Sequence, residues 1–130
     1  MGEKTGVLAE VSRGLVHLHR EYYGKGPTRA KTYMVDDSLV CLLEGGFTIV
    51  ERTLIDQGDA DAVHDMRLSF QRGMGDRFKS VVESATHRKV IAYMSQIHHD
   101  PDIVVDLFVL EPSDEPLIGD HDHVTPGTEA

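Results

Sequence analysis

The sequence predicts an α+β domain with two layers, in which helices cover a four-stranded antiparallel sheet. Three observations support this fold class: an apolar stripe at helical spacing near the N-terminus, two pairs of short apolar runs, and longer helical patterns between those pairs. Apolar runs joined by a short turn form hairpins, and two hairpins can build one antiparallel sheet. The predicted order of elements is α-β-β-α-α-β-β.

The first three elements are a helix and a hairpin. Residues 3–22 place apolar side chains at steps of three and four, which is typical of a helix with one buried face. Residues 28–35 alternate between apolar and polar, as a strand does, and residues 39–44 form a nearly continuous apolar run. The turn residues 36–38, DDS, separate the two runs, so we predict that they pair.

Two helices are predicted in the middle of the chain. Thr48 and Glu51 have the spacing of a capping box, in which each side chain accepts a hydrogen bond from the other residue's N–H. A short helix follows to Gln57, and a long helix spans residues 60–86. The predicted buried stripe of the long helix consists of Val63, Met66, Phe70, Met74, Phe78, Val81 and Ala85.

The second hairpin completes the domain. Residues 89–97 and 103–110 are apolar runs on either side of the turn sequence HHDPD. From Glu111 onward the chain contains six acidic residues and no Lys or Arg. We therefore predict a single domain over residues 1–111 and a flexible acidic tail over residues 112–130.

Composition excludes several classes of function. The chain has 130 residues and a net charge of -9, which disfavours binding to nucleic acid or to an anionic membrane surface. No apolar run approaches the roughly 20 residues that span a bilayer, so no direct membrane insertion is expected. Cys41 is the one cysteine, and the N-terminus lacks the apolar region of a secretory signal. Both observations predict a cytoplasmic protein.

The segment YYGKGPTRAKTY, residues 22–33, is the first candidate site. It is not a P-loop, because it follows a helix and opens a strand. Its backbone N–H groups and cations could nevertheless surround a small anion. The alternative is an ordinary helix C-terminus, where glycine ends the helix and a cation complements the helix dipole. The predicted anion-binding residues are Gly24, Lys25, Gly26, Thr28, Arg29 and Lys31.

The turn between the last two strands is the second candidate site. His98, His99, Asp100 and Asp102 are residue types that bind metals. Adjacent strand residues point to opposite faces, so His99 with either aspartate is a better ligand set than the two histidines together. The alternative is a polar hairpin turn set by Pro101, and this interpretation is favoured. We therefore assign no metal ligands.

The sequence offers little support for catalysis. Cys41 lies within an apolar strand, where a thiol is normally inert packing. No serine lies in a Gly-x-Ser-x-Gly elbow. We therefore assign no catalytic residues and expect no cofactor.

Several stretches together resemble a known family. They are GKGP after the first helix, LLEGGFTIVERTL, and DPD before the last strand, within about residues 6–112. In these stretches the chain resembles the MpsC-type family, long described as a domain of unknown function. The resemblance implies association with a cation-translocating, membrane-potential-generating system of bacteria that is also linked to inorganic-carbon uptake. The membrane and catalytic components of that system are other proteins, and no catalytic residues come with the resemblance.

The residues and the resemblance together predict a non-enzymatic, soluble accessory or regulatory module. We expect a homo-oligomer, specifically a dimer formed through a helix or the sheet edge. The expected partners are a membrane transporter subunit and a small anion, with no nucleic acid. The alternative function is a metal-dependent enzyme or metal binder that uses the turn from His98 to Asp102.

Overall fold

The computed structural model describes the backbone of residues 2–113 and the side chains from Gly6 onward. All seven predicted elements are present in the predicted order, which confirms the α+β fold class. The predicted acidic tail, apart from its first two residues, lies outside the described residues. The helices are α1 (Gly2–Tyr23), α2 (Ile49–Asp56) and α3 (Ala60–Thr86), and the strands are β1 (Arg29–Val35), β2 (Ser38–Glu44), β3 (Val90–His98) and β4 (Ile103–Leu110).

The four strands form one antiparallel sheet in the order β1-β2-β4-β3. Each predicted hairpin forms, and the two hairpins join where β2 pairs with β4 in the centre of the sheet. Cys41 of β2 lies opposite Asp106 of β4, and Asp106 lies opposite Ser95 of β3. β1 and β3 are therefore the two edges.

All helices cover one face of the sheet, and the core lies between the two layers. Leu15 of α1, Phe78 of α3 and Phe108 of β4 are almost completely buried there. A Cβ atom on Gly14 would come within 2.5 Å of a Val81 methyl group, so glycine allows α1 and α3 to approach closely. Within residues 2–113, no helix has both the length and the apolarity to cross a membrane.

The buried face of α3 differs from the predicted stripe. Arg67 and Gln71 are 1% and 7% exposed, whereas Met66 is 43% exposed. The helical period is as predicted, and four of the predicted residues, Val63, Met74, Phe78 and Ala85, are buried. Phe70 and Val81 are partly buried against the core, and Met66 is the predicted residue that is exposed. Because Arg67 and Gln71 are polar, the apolar pattern along the sequence did not mark these two buried positions. The buried residues of α3 are Val63, Arg67, Gln71, Met74, Phe78, Val82, Ala85 and Thr86.

Candidate functional site

The predicted anion loop forms the corner between α1 and β1. Gly24 has a φ of 82°, and its N–H donates to the carbonyl of Arg20 at 3.0 Å, which ends the helix in a left-handed conformation. Thr28 donates to the carbonyl of Glu44 from its N–H at 2.8 Å and from its hydroxyl at 3.2 Å. Gly26 packs beside Arg20 in the same corner. These contacts join the start of β1 to the end of β2.

The three cations of this loop are divided between two places. The Lys25 ammonium donates to the carbonyl of Gly45, so it bridges the corner to the end of β2. Arg29 and Lys31 occupy alternate exposed positions of β1, on the face of the sheet that the helices leave uncovered. The structure thus brings Arg29 and Lys31 together on one face and engages Lys25 elsewhere. An anion site at this loop remains a prediction.

The uncovered face of the sheet is unusually apolar, and we call it the open face. Its central row, Tyr33–Val40–Leu107–Met94, runs from β1 to β3 and has no charged residue. The two ends of that row, Tyr33 and Met94, are 45% and 51% exposed. The rows of the open face, in register, are Val35–Ser38–Val109–Ala92, Tyr33–Val40–Leu107–Met94, Lys31–Leu42–Val105–Gln96 and Arg29–Glu44–Ile103–His98.

The open face has a clear origin in the sequence. An antiparallel sheet with one solvated face usually alternates apolar and polar residues along each strand. The central strands instead read LVCLLE and IVVDLFVL, with aliphatic side chains on both faces. Such runs are typical of strands covered on both sides, yet the helices cover one side only. The open face is therefore an apolar surface that no other part of residues 2–113 covers.

Two polar side chains at the turn between β3 and β4, His98 and Asp102, contact other groups of the protein. Nδ1 of His98 lies 2.8 Å from the carbonyl oxygen of Pro101. Asp102 accepts a hydrogen bond from the N–H of Phe47 at 3.0 Å and lies 3.9 Å from the Arg52 guanidinium. Among residues 2–113, no group of three or more His, Cys, Asp or Glu side chains could hold one metal ion. The polar hairpin turn is the interpretation that fits this geometry.

Sequence reasoning did not identify a buried ion pair between α2 and α3. Arg67 donates to both carboxylate oxygens of Glu51, each at 2.7 Å, and to the carbonyl of Gly46 at 3.1 Å. Its guanidinium also lies 4.0 Å from the centre of the Tyr23 ring and 5.1 Å from that of Phe47. The pair joins both helices to the segment that follows β2.

The protonation states around this pair follow from burial and charge. Burial by itself would raise the pKa of Glu51, but the hydrogen bonds from Arg67 and from the Thr48 N–H hold that pKa below its ordinary value. The capping box predicted from Thr48 and Glu51 is confirmed, with hydrogen bonds of 2.8 and 3.1 Å. Burial and the charge of Arg67 lower the pKa of His19 to about 4, so His19 is neutral at physiological pH.

The fold and the open face define a class of small α+β protein with one covered and one uncovered sheet face. A family model described as "Na+-translocating membrane potential-generating system (MpsC)" matches residues 3–112. This match covers most of the chain, and the chain belongs to the MpsC family. Membership suggests a component of a Na+ membrane-potential system. No match was found among curated proteins or among solved structures.

Proposed function

We propose that this chain is a non-enzymatic, cytoplasmic accessory subunit that acts through protein contacts, and that two copies form a homodimer by packing their open faces together. The observation that carries the proposal is the uncharged central row, which ends in the exposed side chains Tyr33 and Met94. The family description supports a role beside the membrane components of a Na+ membrane-potential system.

The size of the open face fits a second copy of the chain. With strands about 4.8 Å apart and rows about 6.7 Å apart, four strands and four rows cover about 500 Å². Two copies would then bury about 1,000 Å² in total, which is the lower limit for a specific interface. Two sheets stacked face to face form the aligned packing of a β-sandwich, in which aliphatic side chains interdigitate.

The charges at the margin of the open face are also compatible with two-fold packing. Arg29 and Lys31 lie at one end of β1, and the Asp36-Asp37 turn, in which Asp37 pairs with Arg88 at 2.7 Å, follows the other end. In one two-fold arrangement β1 of each copy crosses the partner's β1 in the opposite direction, so each pair of cations approaches an acidic turn. In the other arrangement β1 lies over the partner's β3, and the cations approach Gln96 and His98. Neither arrangement places cations on cations.

Substitutions in the central row test the dimer. The wild-type chain of 14.4 kDa should sediment as a particle of 2 × 14.4 = 28.8 kDa. Tyr33→Glu combined with Met94→Glu should raise the dissociation constant at least about 100-fold, because dimerisation would then bury uncompensated carboxylates. Analytical ultracentrifugation over a range of concentrations measures this constant.

The matched control is Ile49→Glu combined with Val50→Glu. These two residues are 82% and 69% exposed in the first turn of α2, where acidic side chains favour the helix. This variant should dimerise like the wild type. A wild-type chain that stays monomeric at about 100 μM, well above the dissociation constants of ordinary specific dimers, would end the proposal. Equal dissociation of the control and the central-row variant would also end it.

Anion binding at the loop is a second proposal, favoured by the shared exposed face of Arg29 and Lys31. Inorganic phosphate should raise the melting temperature of the wild type by a few degrees, and Arg29→Gln with Lys31→Gln should remove that increase. Arg13→Gln, an exposed cation on α1, is the charge-matched control. The same shift in all three proteins would indicate a general salt effect and no site at the loop.

A further inference from the structure

β3 is one edge of the sheet, and no strand within residues 2–113 pairs with its outer side. Along an antiparallel strand, successive residues direct their backbone N–H and C=O groups to opposite sides. At the end of β4 the N–H of Leu110 donates to the carbonyl of Asp37, on the side of β2. The next N–H, that of Glu111, donates to the carbonyl of Lys89, on the side of β3. These two bonds fix the alternation along β4.

The alternation identifies the backbone groups that β3 leaves free. Every second residue of β4, from Ile103 to Val109, bonds to β3, and the residues opposite them are Ala92, Met94, Gln96 and His98. The residues between these, Tyr93, Ser95 and Ile97, therefore direct their N–H and C=O groups away from β4. They present alternating donors and acceptors to a further strand, which is how a sheet edge recognises an extended peptide.

The two edges of the sheet differ in their protection against a further strand. Exposed edges usually carry charged side chains or proline, which oppose pairing. β1 carries Arg29 and Lys31, and the hydroxyl of Thr32 forms a hydrogen bond of 2.7 Å with Ser12 of α1. β3 contains no Lys, Arg, Asp, Glu or Pro, and its register shift, at Ile91, precedes the regular part of the strand. β3 is therefore the edge that accepts a further strand more readily.

An open groove of about 400 Å³ lies beside this edge, between α3 and β3. α3 packs on α1 at Val81, which faces Gly14. The opposite flank of α3 lines the groove, together with β3, through Leu68, Arg72, Gly75, Lys79, Tyr93 and Ser95. The helix from Leu68 to Lys79 is about 16 Å long, which matches about five residues of extended chain.

The walls of the groove are suited to a polypeptide. The Tyr93 ring stacks on Phe108 with the ring centres 4.9 Å apart, and the Ser95 hydroxyl lies 2.6 Å from the carboxylate of Asp106. The strand side is therefore fixed before any ligand binds, which lowers the cost of binding. The amide nitrogen of Gln71 is buried without a hydrogen-bond partner among the described residues. It is a donor for an oxygen of the ligand.

We propose that the edge of β3 and the groove beside it bind an extended segment of a partner protein as a fifth strand of the sheet. The segment exchanges backbone hydrogen bonds with Tyr93, Ser95 and Ile97. One of its side chains, uncharged and with an acceptor oxygen, enters the groove and accepts from the amide of Gln71. The inference rests on the proposed role as a subunit that acts through protein contacts, and it names the surface that recognises the partner.

A second copy of the chain fits this edge less well than a separate segment. Two-fold pairing of two β3 strands at the groove would turn the lining flanks of the two α3 helices towards each other in opposite directions. Arg72 of each copy would then approach Lys79 of the other, and the two Asp76 side chains would approach each other. Like charges that meet in this way are destabilising. A single extended segment brings no second helix.

The probe is a random library of twelve-residue peptides displayed on phage and selected on the full chain. Selected peptides are synthesised and titrated by calorimetry, and at least one should bind at one site per chain. N-methylation of every second residue should weaken binding at least tenfold in one register and far less in the other. The reason is that only one side of an added strand bonds to β3.

The matched pair Gly75→Leu and Gly73→Leu tests the groove. Both variants replace a helical glycine with a better helix former. A Cβ atom at position 75 would stand 3.7 Å from the Tyr93 ring, whereas a Cβ atom on Gly73 would meet nothing within 4 Å. Gly75→Leu should therefore fill the groove and weaken binding at least tenfold, and Gly73→Leu should leave binding unchanged. Circular dichroism confirms that both variants are folded.

Amide hydrogen exchange, followed by nuclear magnetic resonance, locates the bound peptide. The amides of Tyr93, Ser95 and Ile97 should exchange at least tenfold more slowly when the peptide is present. The amide of Thr32, on the other edge of the sheet, should exchange at the same rate with and without the peptide.

Four results would overturn the proposal. They are selection of no peptide, equal loss of binding in both leucine variants, loss of binding in Tyr33→Glu with Met94→Glu, and slow exchange of the three β3 amides that is lost on dilution without peptide. The third would place the peptide on the open face, and the fourth would assign the edge to a second copy. A monomeric chain that still binds the peptide would reject the proposed dimer and support the β3 site.

Discussion

Replacing Arg67 with methionine is expected to lower the free energy of unfolding by about 3–5 kcal/mol. The substitution leaves the carboxylate of Glu51 buried without the guanidinium that now bonds both of its oxygens. It also removes the hydrogen bond to the carbonyl of Gly46 and the stacking on Tyr23. Urea denaturation followed by circular dichroism measures the loss.

Two controls separate the buried charge from the loss of any arginine. Arg52→Met removes a guanidinium that is 62% exposed and lies 3.9 Å from Asp102, so it should cost less than about 1 kcal/mol. Arg67→Met combined with Glu51→Leu removes both charges and should recover most of the stability. About 1 kcal/mol should remain lost because the capping box with Thr48 is broken. Equal costs for Arg67→Met and Arg52→Met would contradict the prediction.

The second large effect is a dependence of stability on pH that arises from Asp106. Burial raises the pKa of this carboxyl from 3.8 to about 6, against the opposing hydrogen bonds from Ser95 and Tyr93. The folded state therefore binds the proton more tightly than the unfolded state does. The resulting stability is complete below about pH 4 and is lost as the pH rises through about 6. The difference between the two pKa values corresponds to about 3 kcal/mol.

Asp106→Asn isolates this contribution. The free energy of unfolding of the wild type, minus that of the variant, should fall by about 2–3 kcal/mol between pH 4 and pH 7.5. Asp65→Asn changes an exposed carboxyl on α3 and should keep the pH dependence of the wild type. Parallel curves for the wild type and Asp106→Asn would show that the buried carboxyl does not titrate in this range.

The sequence predicted the elements well because their signals are local. Helical periodicity, the capping box of Thr48 and Glu51, and the turn residues of each hairpin all act within a few positions along the chain. The order of the strands was not predicted. In the sheet β2 pairs with β4, so Cys41 lies opposite Asp106, although α2, α3 and β3 separate the two residues in the sequence. No local pattern encodes that choice.

Predictions about individual side chains failed where partners distant in the sequence determine the burial or the contacts of the side chain. Arg67 and Gln71 interrupt the apolar stripe of α3, and Arg67 is buried because Glu51, from another helix, neutralises it. Lys25 is adjacent in sequence to the other loop cations, but the carbonyl that it bonds belongs to Gly45, twenty residues away. The open face did have a signal in the sequence, because the central strands carry apolar residues on both faces. That signal could not show whether helices cover one face of the sheet or both.

The central pairing of β2 with β4 has a consequence for synthesis of the chain on the ribosome. Asp106 follows Cys41 by 106 − 41 = 65 residues, so at about 5–20 residues per second β2 emerges roughly 3–13 s before its neighbour. During that interval the nascent hairpin presents an aliphatic strand with one unpaired edge, which is a surface that chaperones bind and that promotes aggregation. The last strand to be translated closes the sheet.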